Sequence, residues 1–120
     1  LNTSDRNLKN TITESDLGLD FICKLKPVSY KWNQNEGESL DTKTHYGLIS
    51  QDVEKVIIET GKTLDDFGAI DKPDKDPMGL SYNEFISPLI KAIQDLKSEI
   101  NTLQQENQAL RVRVTNLEDK

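Results

Sequence analysis

Apolar positions along this chain change their spacing several times, and each spacing predicts a different element. Leu17, Phe21, Ile22 and Leu25 recur at helical intervals after Ser15-Asp16, which predicts a short helix ending before Pro27. Val28, Tyr30 and Trp32 then alternate with Ser29 and Lys31, the two-residue period of a strand with one buried face. The polar stretch 33–44 reads as a loop, and Tyr46 to Ser50 resumes as a second short strand. Val53, Val56 and Ile57 place an apolar stripe on a helix beginning near Gln51. From 60 to 79 the chain carries Gly61, Gly68, Pro73 and Pro77 among several aspartates. That composition predicts an irregular excursion across the surface or onto a neighbouring subunit.

The pattern of the last third is regular. Ser81-Tyr82-Asn83-Glu84 has the form of a capping box, so a helix is expected to start there, with Pro88 kinking its second turn. Ile86, Ile93, Ile100, Asn107 and Val114 then hold one heptad position, and Leu89, Leu96, Leu103, Leu110 and Leu117 another. Steps of three and four without a slip predict a coiled-coil seam. Glu106 with Arg111, and Arg113 with Glu118, stand where flanking charges of adjacent parallel helices meet. β-branched residues at the first seam position, Leu at the second and one asparagine favour two strands by packing rules alone. The fold class expected is α+β: a small mixed body of short strands and helices over 4–80, followed by a long C-terminal helix over 81–120 that forms a parallel coiled coil.

Composition narrows what such a chain can do. Of its 120 residues only 34% are hydrophobic and 30% are charged, so a single copy buries a thin core and gains stability by association. A net charge of -6 argues against a nucleic-acid partner, which needs clustered Lys and Arg. Cys23 is the only cysteine and His45 the only histidine, so an intrachain disulfide is excluded and no metal or other cofactor is expected. No apolar run approaches the ~20 residues of a membrane span, so no membrane partner is expected, and the reading fits folding in a cytoplasm. Because the chain starts at Leu1 rather than Met, it reads as a piece of a longer polypeptide, with residues 1–3 the remnant of what precedes.

Candidate chemistry lies at the front, where Ser4 is followed five residues later by Lys9. A serine hydroxyl becomes a useful nucleophile when a neighbour takes its proton, and a lysine serves only once its ammonium can give up its own. That requires its pKa to fall from ~10.4 to roughly 7–8, a cost of ~4 kcal/mol in desolvation or like-charge repulsion. Arg6 is placed to supply part of the repulsion. Asp5 is placed either to orient Lys9 or Arg6, or to cap a turn, the ordinary role of a Ser-Asp pair. Five residues of ideal helix rotate by ~140°, so the pair meets only if the chain bends between them or if Lys9 comes from a neighbouring subunit. His45 reads either as a supporting base or as a solvated side chain at a loop end. Gln51 and Glu54 read either as lining the same pocket or, equally, as exposed polar positions at a helix start, and neither is read as catalytic.

Four blocks carry a resemblance in one order: Ser4 to Asn10, Leu25 to Trp32, Tyr46 to Glu54 and Leu89 to Lys97. Together they resemble the self-cleaving intramolecular chaperone domain at the C-terminal end of phage tailspikes, tail fibres and neck appendages, also found in myelin regulatory factors. The resemblance implies a homotrimer rather than a dimer. It implies an intramolecular chaperone that registers an upstream fibre or tailspike segment of the same polypeptide. It also implies a single-turnover serine peptidase that cuts the Thr3-Ser4 bond with Ser4 as nucleophile and Lys9 as base. Assembly in the host cytoplasm and release of the domain from the mature fibre follow from the same likeness. The alternative from the seam alone is a noncatalytic coiled-coil oligomerisation or interaction module.

Overall fold

A computed structural model describes residues 2–120. Its elements are α1 (Leu19–Lys24), β1 (Val28–Tyr30), β2 (His45–Gly47), α2 (Ser50–Glu59), β3 (Ile70–Asp71), β4 (Gly79–Leu80) and α3 (Ile86–Glu118), with 3₁₀ turns at Arg6–Leu8, Leu64–Asp66 and Tyr82–Phe85. The result is a small α+β body on a 33-residue helix, with extents of 80 × 43 × 31 Å.

β1 and β2 form an antiparallel hairpin in the register Val28 to Gly47, Ser29 to Tyr46 and Tyr30 to His45. Trp32, expected inside the first strand, lies beyond it. Its amide donates to Asp41 Oδ2 at 2.8 Å instead of to a sheet neighbour. β3 and β4 make a second, two-residue pairing. On the two helices of the body the buried residues fall on the predicted faces: Phe21 on α1, and Val53, Val56 and Ile57 on α2.

The core joins Leu17, Phe21, Val53, Val56, Ile57, Phe67, Ala69 and Phe85. Two of these come from the 60–79 stretch that was expected to run over the surface. Phe67 sits edge-on to Phe21 at 5.5 Å and to Phe85 at 5.2 Å, so the stretch threads an aromatic wedge between α1 and the foot of the long helix. The Leu64–Asp66 turn aims it there, and the Ser81 amide donating to Ala69 O at 2.7 Å fixes the return.

The long helix also begins differently from the expectation. Ser81 makes no side-chain cap, and Tyr82–Phe85 forms a 3₁₀ turn before the α-helix proper starts at Ile86. Pro88 explains the change. It has no N–H to bond the carbonyl four residues back and its ring crowds that carbonyl, so it is accommodated in the first α turn, where amides lack helical partners anyway.

Two ties hold body and helix together. Asp95 on α3 accepts the Leu19 amide at 3.1 Å, satisfying a free donor at the start of α1, while Lys91 lies 3.6 Å from the other carboxylate oxygen. Gly18 makes this possible, since a Cβ there would stand 2.5 Å from Asp95 Oδ2 and 2.8 Å from Lys91 Cγ. On the other side, Tyr82 Oη accepts the Leu48 amide at 3.0 Å, and a Cβ on Gly47 would fall 2.5 Å from that oxygen.

Candidate active site

The amino-terminal arm, residues 2–14, is exposed throughout. Within it a single 3₁₀ turn over Arg6–Leu8 is flanked by extended backbone at Asp5 and Lys9. The turn is closed by Leu8 N–H donating to Asp5 O and Lys9 N–H donating to Arg6 O, each at 3.1 Å. This tight reversal is the bend that the five-residue spacing demands. It brings Lys9 Nζ to 2.7 Å from Ser4 Oγ within one chain.

Asp5 and Arg6 both sit in this turn. Asp5 Oδ1 accepts the Asn7 amide at 2.9 Å, the capping role, and so holds the turn that joins Ser4 to Lys9. Arg6 makes no ion pair among the described residues. Thr3 and Ser4 are both exposed, so the bond between them is open to water.

His45 belongs to a separate cluster on the hairpin. Its Nε2 lies 3.1 Å from Asp41 Oδ2, and its ring stacks on Tyr30 at 5.5 Å and tilts against Trp32 at 6.2 Å. None of these partners comes from the arm. The Trp32 amide is the main reason that the Asp41 carboxyl is held below its ordinary pKa, with the Lys43 amide and His45 adding to it. Asp41 was not singled out from sequence; a short acidic side chain among polar loop residues carries no signal until the loop folds back. Glu54 pairs with Lys72 at 2.9 Å and Gln51 is exposed, so both serve the body and its surface.

The dyad geometry permits an attack by Ser4 Oγ but does not by itself activate it. A lysine serves a serine as base only where exclusion of water or a nearby positive charge favours its neutral form. The arm buries no residue against the rest of the chain before Ser15. Among the described residues, no part of this one copy covers the pair from water.

The seam residues are exposed in the same way. Ile86, Leu89, Ile93, Leu96, Ile100, Leu103, Leu110, Val114 and Leu117 all remain open to solvent, and Asn107 lies among them. Nine large apolar side chains along one stripe form an unpartnered face larger than isolated surface hydrophobics account for.

Comparison with known proteins bears on this arrangement. Residues 4–62 match the family model Peptidase S74, described as chaperone of endosialidase. The matched segment begins at Ser4 and takes in the dyad, the hairpin and α2, leaving β3, β4 and the long helix outside it. No curated protein matches the chain. A solved structure described as a novel intramolecular chaperone is 22% identical, covers 87% of this chain and 99% of its own, and superimposes with a TM-score of 0.51. At that identity the likeness speaks for the fold, a small body on a long helix. Residues 4–62 thus carry a likeness to the chaperone-of-endosialidase family, and the whole chain shares the fold of a structure described as an intramolecular chaperone.

Proposed function

We propose that this domain trimerises through its long helix, holds the upstream segment of its own polypeptide in register while that segment folds, and then releases itself by cutting the Thr3-Ser4 bond. The observation that carries the proposal is the 2.7 Å approach of Lys9 Nζ to Ser4 Oγ at the first residues of the family match. The upstream polypeptide is read as a phage tail fibre or tailspike, assembled in the host cytoplasm.

In the reaction, Lys9 as the free amine takes the hydroxyl proton while Ser4 Oγ attacks the Thr3 carbonyl carbon. The C–N bond to Ser4 breaks as its nitrogen is protonated, leaving Thr3 joined to Ser4 as an ester. Water opens the ester, giving a Thr3 carboxylate and a chaperone that begins at Ser4 with its hydroxyl restored. Each chain reacts once. Asp5 acts as a positioning residue through the turn it caps, and Arg6 supplies positive charge beside the amine.

The chaperone role follows from effective concentration. A parallel coil gathers three upstream segments at one end, which lowers the entropy cost of starting an interleaved fold. Release then removes the device that eased assembly and leaves the product kinetically held. The rival reading, a noncatalytic oligomerisation module, draws on the solvation of the dyad in a single copy.

A chain extended upstream of Leu1 separates the two. Intact-mass measurement is expected to find a fragment beginning at Ser4 in the wild type and only the whole chain in Ser4→Ala and Lys9→Ala. A wild-type chain that stays whole after folding, with the oligomeric state of Ser4→Ala, establishes the noncatalytic module.

A further inference from the structure

An apolar groove of about 640 Å³ opens beside the foot of the long helix, walled by Ile22, Leu25, Val28, Leu48, Phe85 and Leu89. Leu89 is also a seam residue, so the groove is the upper continuation of the helix's unpartnered stripe. The arm, in turn, exposes two large apolar side chains with nothing to cover them: Leu8 is 71% exposed and Ile12 54%. Thr11 turns the backbone between them at φ 52, a costly left-handed conformation for a β-branched residue that persists where surroundings impose it.

The helix register decides which groove the arm can reach. With Ile86 and Ile93 at heptad position a and Leu89 and Leu96 at d, Phe85 and Ala92 fall at g. Both are buried against the body, so body and groove stand on the g side. The arm leaves the body where Glu14 and Ser15 run beside Ser87, Ile90, Lys91 and Gln94, of which Ile90 is at e and Ser87 and Gln94 at b. It therefore leaves on the opposite flank of the seam. In a parallel coil the g flank of each helix adjoins the e flank of the next. Each arm thus emerges beside its neighbour's groove rather than its own. Seven residues separate Ser15 from Leu8, a reach of up to ~23 Å when extended, against helix spacings of about 8–10 Å.

We propose that each copy lays Leu8 and Ile12 of its arm into the apolar groove of the adjacent copy. This inference rests on the parallel coil proposed above. The exchange runs one way around the bundle and closes on itself. It places the Ser4–Lys9 pair, whose lysine directly follows the docked Leu8, under the neighbour's hairpin, where water is displaced from the amine. The partner copy so completes a site that a single chain leaves wet.

The test uses the full chain with Cys23→Ser, Leu8→Cys and Ser29→Cys together. Ser29 lines the groove and is exposed, so the change leaves the core alone. After treatment with a short bismaleimide, a denaturing gel is expected to show covalently closed oligomers of the same number that light scattering reports in solution. Oligomers with only internally bridged chains, or with no bridges, overturn the arm exchange and leave the coil standing. Lone chains by light scattering overturn the coil and the arm exchange with it. The single variants, mixed before refolding, are expected to give cross-linked pairs of unlike chains, and their absence equally counts against the proposal.

Discussion

Replacing Phe67 by alanine probes whether the 60–79 stretch is part of the core or a surface strap. The ring is 5% exposed and meets Phe21 and Phe85 edge-on at 5.5 and 5.2 Å. Removing a buried phenyl group typically costs about 3–5 kcal/mol, because the transfer free energy is lost and the cavity left behind closes only partly. The two edge-on pairs, worth about 0.5–1.5 kcal/mol each beyond burial, place this site in the upper half of that range. A loss of about 4 kcal/mol corresponds to a drop of roughly 2 M in urea midpoint for a domain of this size. The measurement is urea unfolding at fixed protein concentration, since association contributes to apparent stability. Exposed Ile58 on α2 is the control, and its alanine variant is expected to stay within about 0.5 kcal/mol. A Phe67→Ala loss below about 1 kcal/mol refutes the packing described for the stretch.

Asp95→Ala is expected to lower stability by about 1–2 kcal/mol, since it frees the Leu19 amide at the start of α1, whereas Lys91→Ala, which loses an exposed pair, is expected to change less than about 0.5 kcal/mol by the same assay. Leu103→Ala on the seam is expected to leave the circular-dichroism signal of the body intact while shifting light-scattering mass toward single chains at a dilution where the wild type stays associated. Acid unfolding follows from three lowered carboxyl pKa values: Asp16, held down by the Lys62 hydrogen bond; Asp41, by the Trp32 amide; and Asp66, by the Thr63 amide. Their folded values lie below the ordinary 3.8, so the stabilisation is present above that pH and is lost as pH falls below it. Asp41→Asn is expected to flatten the fall in urea midpoint between pH 4 and lower values. Lys62, raised above 10.5 by its bond to Asp16, adds a loss as pH climbs past that value.

How much of this was legible in the sequence depends on the range of the interactions involved. The heptad stripe, the Val28–Tyr30 alternation and the faces of α1 and α2 are local periods, and they reappear as elements with boundaries within a few residues. The core role of Phe67 was hidden because its partners, Phe21 and Phe85, lie far away in sequence and its neighbours are turn formers. The 3₁₀ start of the long helix was masked by a capping-box motif that Pro88 prevents from leading straight into an α-helix. Gly18 and Gly47 gave the one trace of the two ties between body and helix, but a glycine announces a close approach without naming what approaches. The dyad was readable as a spacing and as a required bend, and the structure supplies the bend through Asp5. The solvent exposure of the pair in a single copy was not readable, because it depends on where the rest of the chain packs.

The central claim is that assembly turns Ser4 and Lys9 into a reactive pair. It is tested most directly by light scattering and intact mass on the same fractions of a chain extended upstream of Leu1, with and without Leu103→Asp on the seam. The account predicts trimers whose chains begin at Ser4 in the first case, and uncut single chains in the second. Uncut trimers of the wild type, or single chains cut at Thr3-Ser4 as fast as trimers, contradict it.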